Sequence, residues 1–204
     1  MSESIEVPYF DRKRQLNKKR NREILISAAK DTFTKMGVDK SSIRQITKIT
    51  NLGSGTFYNY FRNKNSIFIV INERFVQEFS EFFMKEIEKA DTFEQIIKIA
   101  FKSWFSWILS DEKKYLFIKN NKNYLLDIKW QKRNSKEYII LQDKIFKFIL
   151  EISKKTKFPN NDISLMITSV IAVAVSLGEE ILLNDEIQLE NVTDFATKLF
   201  LKGL

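Results

Sequence analysis

An all-α fold is predicted by three features of this 204-residue sequence. Gly (5) and Pro (2) are scarce, whereas β-rich chains need frequent turn residues. Apolar residues recur at spacings of three and four along most of the chain, the period of an amphipathic helix. No segment reads convincingly as a strand. The mix of 44% apolar and 29% charged residues is that of a folded globular protein, long enough for one large domain or two small ones.

The first helix is expected from Arg22, with Leu25, Ala28, Ala29, Thr32, Phe33 and Met36 on one stripe and Gly37 at its C-terminal end. Ser41 and Ser42 offer N-caps for a second, whose Ile43, Ile46 and Ile49 face inward. Asn51-Leu52-Gly53 breaks it, with Asn suited to a tight corner, and Ser54 is expected to cap a short third helix through Phe61. Helix, tight turn, helix is the geometry of a DNA-reading helix-turn-helix. A long helix then opens at Asn63 or Asn65 and runs to about Ala90. Further helices are expected over residues 92–109, 111–121, 130–155, 162–184 and 189–202, about nine in all, with residues 120–123 a helix end or loop and Phe158-Pro159-Asn160-Asn161 a break.

The net charge of +8 is confined to one part of the chain. Residues 1–64 hold 14 Lys/Arg against 6 Asp/Glu, and the remaining 140 hold 20 of each. A basic head on a neutral body suggests a polyanion partner. Residues 12–22 alone carry seven basic side chains and no acidic one, which reads either as a solvated tail or as a nucleic-acid-binding arm. The organisation expected is a basic arm over residues 1–20, a DNA-binding domain over 21–66 and a larger C-terminal domain over 67–204.

The sequence contains no Cys and no His. A disulfide scaffold and a thiolate metal site are therefore excluded, and the commonest general base and metal ligand are missing. No paired-carboxylate or nucleophile constellation is recognisable, so no catalytic residue, metal or cofactor is expected. No signal peptide is visible, and a cytoplasmic location is expected. The most membrane-like stretch, residues 163–178, falls short of the ~20 residues that span a bilayer and is followed by Glu179 and Glu180, so a buried helix is the better reading.

Residues 24–67 resemble the DNA-binding domain of the TetR family of repressors. The family's opening pattern is matched by Ile24-Leu25, Ala28-Ala29, Phe33 and Gly37, and its second helix by Ser41-Ser42-Ile43-Arg44-Gln45-Ile46-Thr47. The most distinctive match is Gly55-Thr56-Phe57-Tyr58-Asn59-Tyr60-Phe61 followed by Lys64. Asn51 stands where the family usually has Gly, and Gly53 where Ser or Thr often caps the recognition helix.

The resemblance implies a homodimeric regulator on a palindromic operator of double-stranded DNA, by family default a repressor. Ser54, Gly55 and Thr56 would lie at the end of the recognition helix that reaches base edges, with Thr56 offering a methyl to thymine. Tyr58, Asn59 and Tyr60 would reach phosphates or bases, Asn59 being the candidate for an adenine edge. Ser42 and Arg44 open the second helix, where phosphate is attracted, and Lys64 matches a family phosphate contact. Phe57 and Phe61 are read as core. Residues 12–22 would track the backbone or enter a minor groove.

Dimerisation is expected through the last two helices, on apolar faces including Ile163, Ile167, Val170, Ala174, Val192, Phe195 and Ala196, with Ala172, Ala174, Ser176 and Gly178 allowing close approach. A small-molecule effector is implied, apolar or aromatic, in a cavity for which Phe101, Trp104, Phe105, Phe117, Tyr124 and Tyr138 are candidate walls. The rival readings are a helix-turn-helix regulator controlled by a protein partner, which a filled C-terminal interior would favour, a helical enzyme, and a membrane-surface protein. The last would need an amphipathic basic face, and residues 12–20 have almost no apolar partners.

Overall fold

The computed structural model describes residues 9–156, 160–184 and 186–202. Residues 1–8 of the arm, Phe158-Pro159 of the expected break, and Gly203-Leu204 lie outside them. Eleven helices and no strand occur among the described residues, in two compact units that divide between Ile71 and Asn72.

In the N-terminal unit, α1 spans Tyr9–Lys40, thirteen positions earlier than the apolar stripe announces. Lys, Arg, Gln and Leu are good helix formers, and no Gly, Pro or β-branched residue interrupts the stretch from Tyr9 to Glu23, so the helix continues although residues 12–20 are all exposed. At Gly37 the backbone leaves helical geometry (φ 76°, ψ 160°), a conformation that a side chain would strain, and a short turn leads to Lys40. The Ser41 hydroxyl donates to the Gly37 carbonyl. Ser42, not Ser41, caps α2 (Ile43–Lys48). Thr50 builds the following corner: its hydroxyl donates to Thr47 O (2.9 Å) and accepts from Leu52 N (3.1 Å). α3 covers Ser54–Tyr58 and is capped by Gly53 without any side-chain bond, so Ser54 is the first helical residue rather than the cap.

α4 (Lys64–Ile87) begins after Asn63, the first of its two candidate starts. Asn63 Oδ1 accepts from Ser66 N (2.9 Å) while Ser66 Oγ accepts from Asn63 N (3.2 Å), satisfying donors at the helix start. The core of this unit is Leu25, Ala29, Phe33, Ile46, Phe57 and Ile67, each fully buried. Phe61 is buried as well, with Arg22 stacked over its ring at 5.3 Å.

In the C-terminal unit, α5 (Phe93–Leu109) starts at a Thr92–Gln95 capping box. α6 (Glu112–Asn120) follows, capped by Asp111. Where a loop and one long helix were expected there are three: α7 (Lys122–Leu125), α8 (Ile128–Asn134) and α9 (Lys136–Thr156). Asp127 caps α8 by accepting from Lys129 N and Trp130 N, and the extended backbone of Ser135 separates α8 from α9. That break resets the phase of α9. Leu141 and Ile149 turn inward, and Ile139 and Ile140 are exposed. α10 (Asn160–Leu183) and α11 (Leu189–Lys202) complete the unit.

α5 is the centre of this unit. Ile97, Phe101 and Phe105 pack with Val170, Ala174 and Ile181 of α10 and Val192 and Ala196 of α11. Ile163, Ile167, Val170, Ala174, Val192 and Ala196, read from sequence as interface residues, are therefore buried within the chain. Gly178 is too, since it faces Trp104 and Ile108 of α5.

Candidate nucleic-acid interface and apolar cavity

The short α3 presents Ser54, Gly55 and Tyr58 to solvent, with Asn59 exposed at its C-cap and Thr56 and Tyr60 half-buried. Tyr58 is 59% exposed, a large ring with its edge on Phe57 at 5.7 Å and otherwise open. Phe57 and Phe61 are buried, 5.7 Å apart, and hold the helix down. Ser54 Oγ lies 3.4 Å from Thr47 Oγ1, which links α3 to α2. A Cβ at Gly55 would meet nothing within 4 Å, so no contact inside the chain requires glycine there.

Arg44 is exposed on α2, together with Lys48, which sequence reasoning passed over. The Ser42 hydroxyl is occupied by the capping box, accepting from Gln45 N (3.2 Å) and donating to Gln45 Oε1 (2.9 Å). Lys64 is also engaged: its ammonium donates to the carbonyls of Asp39 (2.9 Å) and Ser41 (3.1 Å), pinning the start of α4 to the turn after α1. A polar depression lies beside this surface, lined by Asn17, Arg20 and Asn21 of α1 and by Thr50 and Asn51 of the corner.

The C-terminal unit encloses an apolar cavity between α4, α5, α8, α9 and α10. Its free space is ≈ 1060 Å³, part of it open to solvent, and the centre of a water-sized sphere can occupy ≈ 130 Å³. Phe75, Phe79 and Phe83 form the α4 wall, Ile145 and Ile149 part of the α9 wall, and Met166, Val170 and Ala174 part of the α10 wall. Among the described residues no charged one lines it.

Of the six aromatics proposed as walls, Trp104 and Tyr138 line this cavity. Phe101 and Phe105 turn to the α10–α11 core. Phe117 is buried against Phe75 at 5.9 Å, and Tyr124 packs edge-on against Trp130. The α4 phenylalanines were missed because a wall and a core position carry the same residue types. The α10 residues were missed because their apolar face was assigned to a partner protomer.

Polar groups are few around the cavity. Asn72 and Gln131 exchange two hydrogen bonds (2.9 and 3.0 Å), and Gln131 Nε2 also donates to Leu125 O (3.1 Å). Tyr138 Oη accepts from Gln142 Nε2 at 3.4 Å. Burial pushes the Tyr138 hydroxyl up to about 12, so it stays protonated at neutral pH.

These features define a helix-turn-helix protein with a second, larger helical unit around an uncharged cavity. Residues 25–71 match the family model described as bacterial regulatory proteins, tetR family. Two curated relatives come from Bacillus subtilis. An uncharacterised HTH-type transcriptional regulator, YhgD, is 28% identical over 60 residues, 29% of this chain and 31% of that protein. A fatty acid metabolism regulator protein is 26% identical over 87 residues, 43% of this chain and 45% of that protein. The chain thus aligns with less than half the length of either. The fold extends further: the Bacillus subtilis regulator FadR, solved with stearoyl-CoA, superposes with a TM-score of 0.71 at 17% identity, over 89% of this chain and 98% of that one. Over residues 25–71 the chain is thus similar to the tetR family of bacterial regulatory proteins, and over most of its length it shares the FadR fold.

Proposed function

We propose that this protein is a ligand-responsive transcriptional repressor that binds a palindromic operator as a homodimer and is controlled by a long-chain acyl ligand. The observation that carries the reading is an apolar cavity in the C-terminal unit of a chain that also carries a helix-turn-helix. Its acyl character is supported by the FadR neighbour, which was solved with stearoyl-CoA. A regulator controlled only by a protein partner has no need of this space.

Operator contact is assigned to Ser54, Gly55, Thr56, Tyr58, Asn59 and Tyr60 for base edges and nearby phosphates, and to Arg44 for the backbone. Ser42 and Lys64, with side chains tied internally, act by holding the backbone of α2 and the start of α4. Residues 12–20 form an exposed, positively charged helix that adds phosphate contacts, with Arg20 in the adjoining depression.

The second protomer docks on what α10 and α11 leave uncovered. Only 33% of the apolar stretch Asp162–Leu183 is buried within the chain, although by length and composition it would suffice to cross a membrane. Leu165, Ala172, Ser176 and Leu183 lie on its open face, and Phe195 of α11 is 44% exposed.

Fluorescence anisotropy with the duplex upstream of the protein's own gene, beside a scrambled duplex at two salt concentrations, tests the reading. Preferential, salt-sensitive binding of two protomers per site is expected, with a shallower salt slope once residues 1–20 are removed. Equal and weak binding to both duplexes, and to a random-sequence library, would overturn it.

A further inference from the structure

The cavity is polarised along its length. On α9 the lining residues Tyr138, Gln142, Ile145 and Ile149 share one face, with both polar side chains in the first two turns and only apolar ones beyond. Gln131 contributes from α8, but both its amide protons are already donated, to Asn72 and to Leu125. Trp104 also lines the cavity, yet its indole nitrogen lies against Gly178, only 2.7 Å from where a Cβ would stand. The Tyr138 hydroxyl differs from both. Among the described residues its hydrogen bond is one that it accepts, from Gln142, which leaves its own proton to donate.

We propose that Tyr138 anchors the polar end of the ligand, its hydroxyl donating to a neutral carbonyl oxygen while an aliphatic chain runs along α9 toward Ile149. This rests on the reading of the cavity as a ligand site. With no cation in the lining among the described residues, an ionised carboxylate would be stripped of water and met by neutral donors alone, a poor exchange. An ester or thioester carbonyl asks for one hydrogen bond and carries no charge. A phenol is protonated and thus a donor at neutral pH, and burial raises its pKa further. The eleven residue steps from Tyr138 to Ile149 rise ~16 Å at 1.5 Å each, room for a chain of ~13 carbons at about 1.25 Å per carbon. Any charged remainder of the ligand lies outside the cavity.

Three probes with a twelve-carbon chain separate the contributions: the dodecanoyl thioester of N-acetylcysteamine, the matching dodecyl thioether without the carbonyl, and dodecanoate. Binding is followed by tryptophan fluorescence, since Trp104 lines the cavity. The thioester should bind the full-length protein at least tenfold more tightly than dodecanoate at neutral pH. Tyr138→Phe should weaken the thioester about three- to tenfold, the worth of one neutral hydrogen bond, and leave the thioether unchanged. Equal losses for thioester and thioether, or no loss for either, would overturn the anchor while leaving the cavity as a ligand site. If the full-length protein binds none of the three, the ligand site and the anchor fall together.

Discussion

Asn72 and Gln131, 59 residues apart in sequence, face each other as a closed amide pair: each donates to the other's carbonyl oxygen, at 2.9 and 3.0 Å. Both are buried, at 0% and 4% exposure. Beside them Glu73 accepts from the backbone of Lys136 (2.9 Å) and Glu137 (3.0 Å), capping α9 from another helix. The wall of the cavity is thereby fixed to α4. Asn72→Ala or Gln131→Ala leaves one buried amide without its partner and should destabilise by about 1–3 kcal/mol. The double replacement Asn72→Ala with Gln131→Ala should cost less than the sum of the two single changes, because no buried amide is then left unpaired. Urea denaturation of the four proteins gives the coupling.

Gly178 is a helical glycine whose replacement by Ala would ordinarily stabilise the helix by about 1 kcal/mol. Here the added Cβ would stand 2.7 Å from Trp104 Nε1 and 3.1 Å from Ile108 Cδ1. Trp104 has little room to withdraw, since Phe79 packs edge-on against it at 5.2 Å. Overpacking of this kind costs about 1–3 kcal/mol, so Gly178→Ala should lower Tm, and Trp104→Phe in the same chain should recover part of the loss.

Gly55→Ala should do the reverse to folding. The new methyl meets nothing, and the helix gains up to about 1 kcal/mol of propensity, so thermal stability should hold or rise. Operator affinity should fall at least about tenfold, the equivalent of ~1.4 kcal/mol, because the methyl enters the space between backbone and base edges. Asn59→Ala should lose about 1–3 kcal/mol at one adenine position and little on a duplex altered at that position.

Tyr138 gives the protein a pH dependence at the alkaline end. Its pKa is raised by burial from 10.0 to about 12, so the folded chain holds the proton more tightly than the unfolded one. The stability due to the neutral phenol is therefore complete below pH 10 and is lost as pH rises toward 12. Phenolate difference absorbance should show one tyrosine ionising last, and Tyr138→Phe should remove that late step.

The N-terminal unit was legible because its buried stripe, Leu25, Ala28, Ala29 and Phe33, follows the helical period and ends at a glycine with positive φ. The outward set on α3 followed from the same period, with Phe57 and Phe61 inside and Tyr58 outside. The cap on α3 was misplaced by one residue, because Gly53 caps through its backbone alone. The cavity was less legible. Phe101 and Trp104 sit three residues apart on α5, yet one packs in the α10–α11 core and the other lines the cavity. Residue type does not separate a packed wall from a vacant one; that depends on which helices stand opposite, here set partly by the Ser135 break that rephases α9.

The most direct test of the account is to titrate the dodecanoyl thioester into the protein–operator complex, reading tryptophan fluorescence and DNA anisotropy in the same cuvette. DNA release is expected over the same concentrations that fill the cavity, and Tyr138→Phe should shift both curves together. A cavity that fills while the operator stays bound would contradict it.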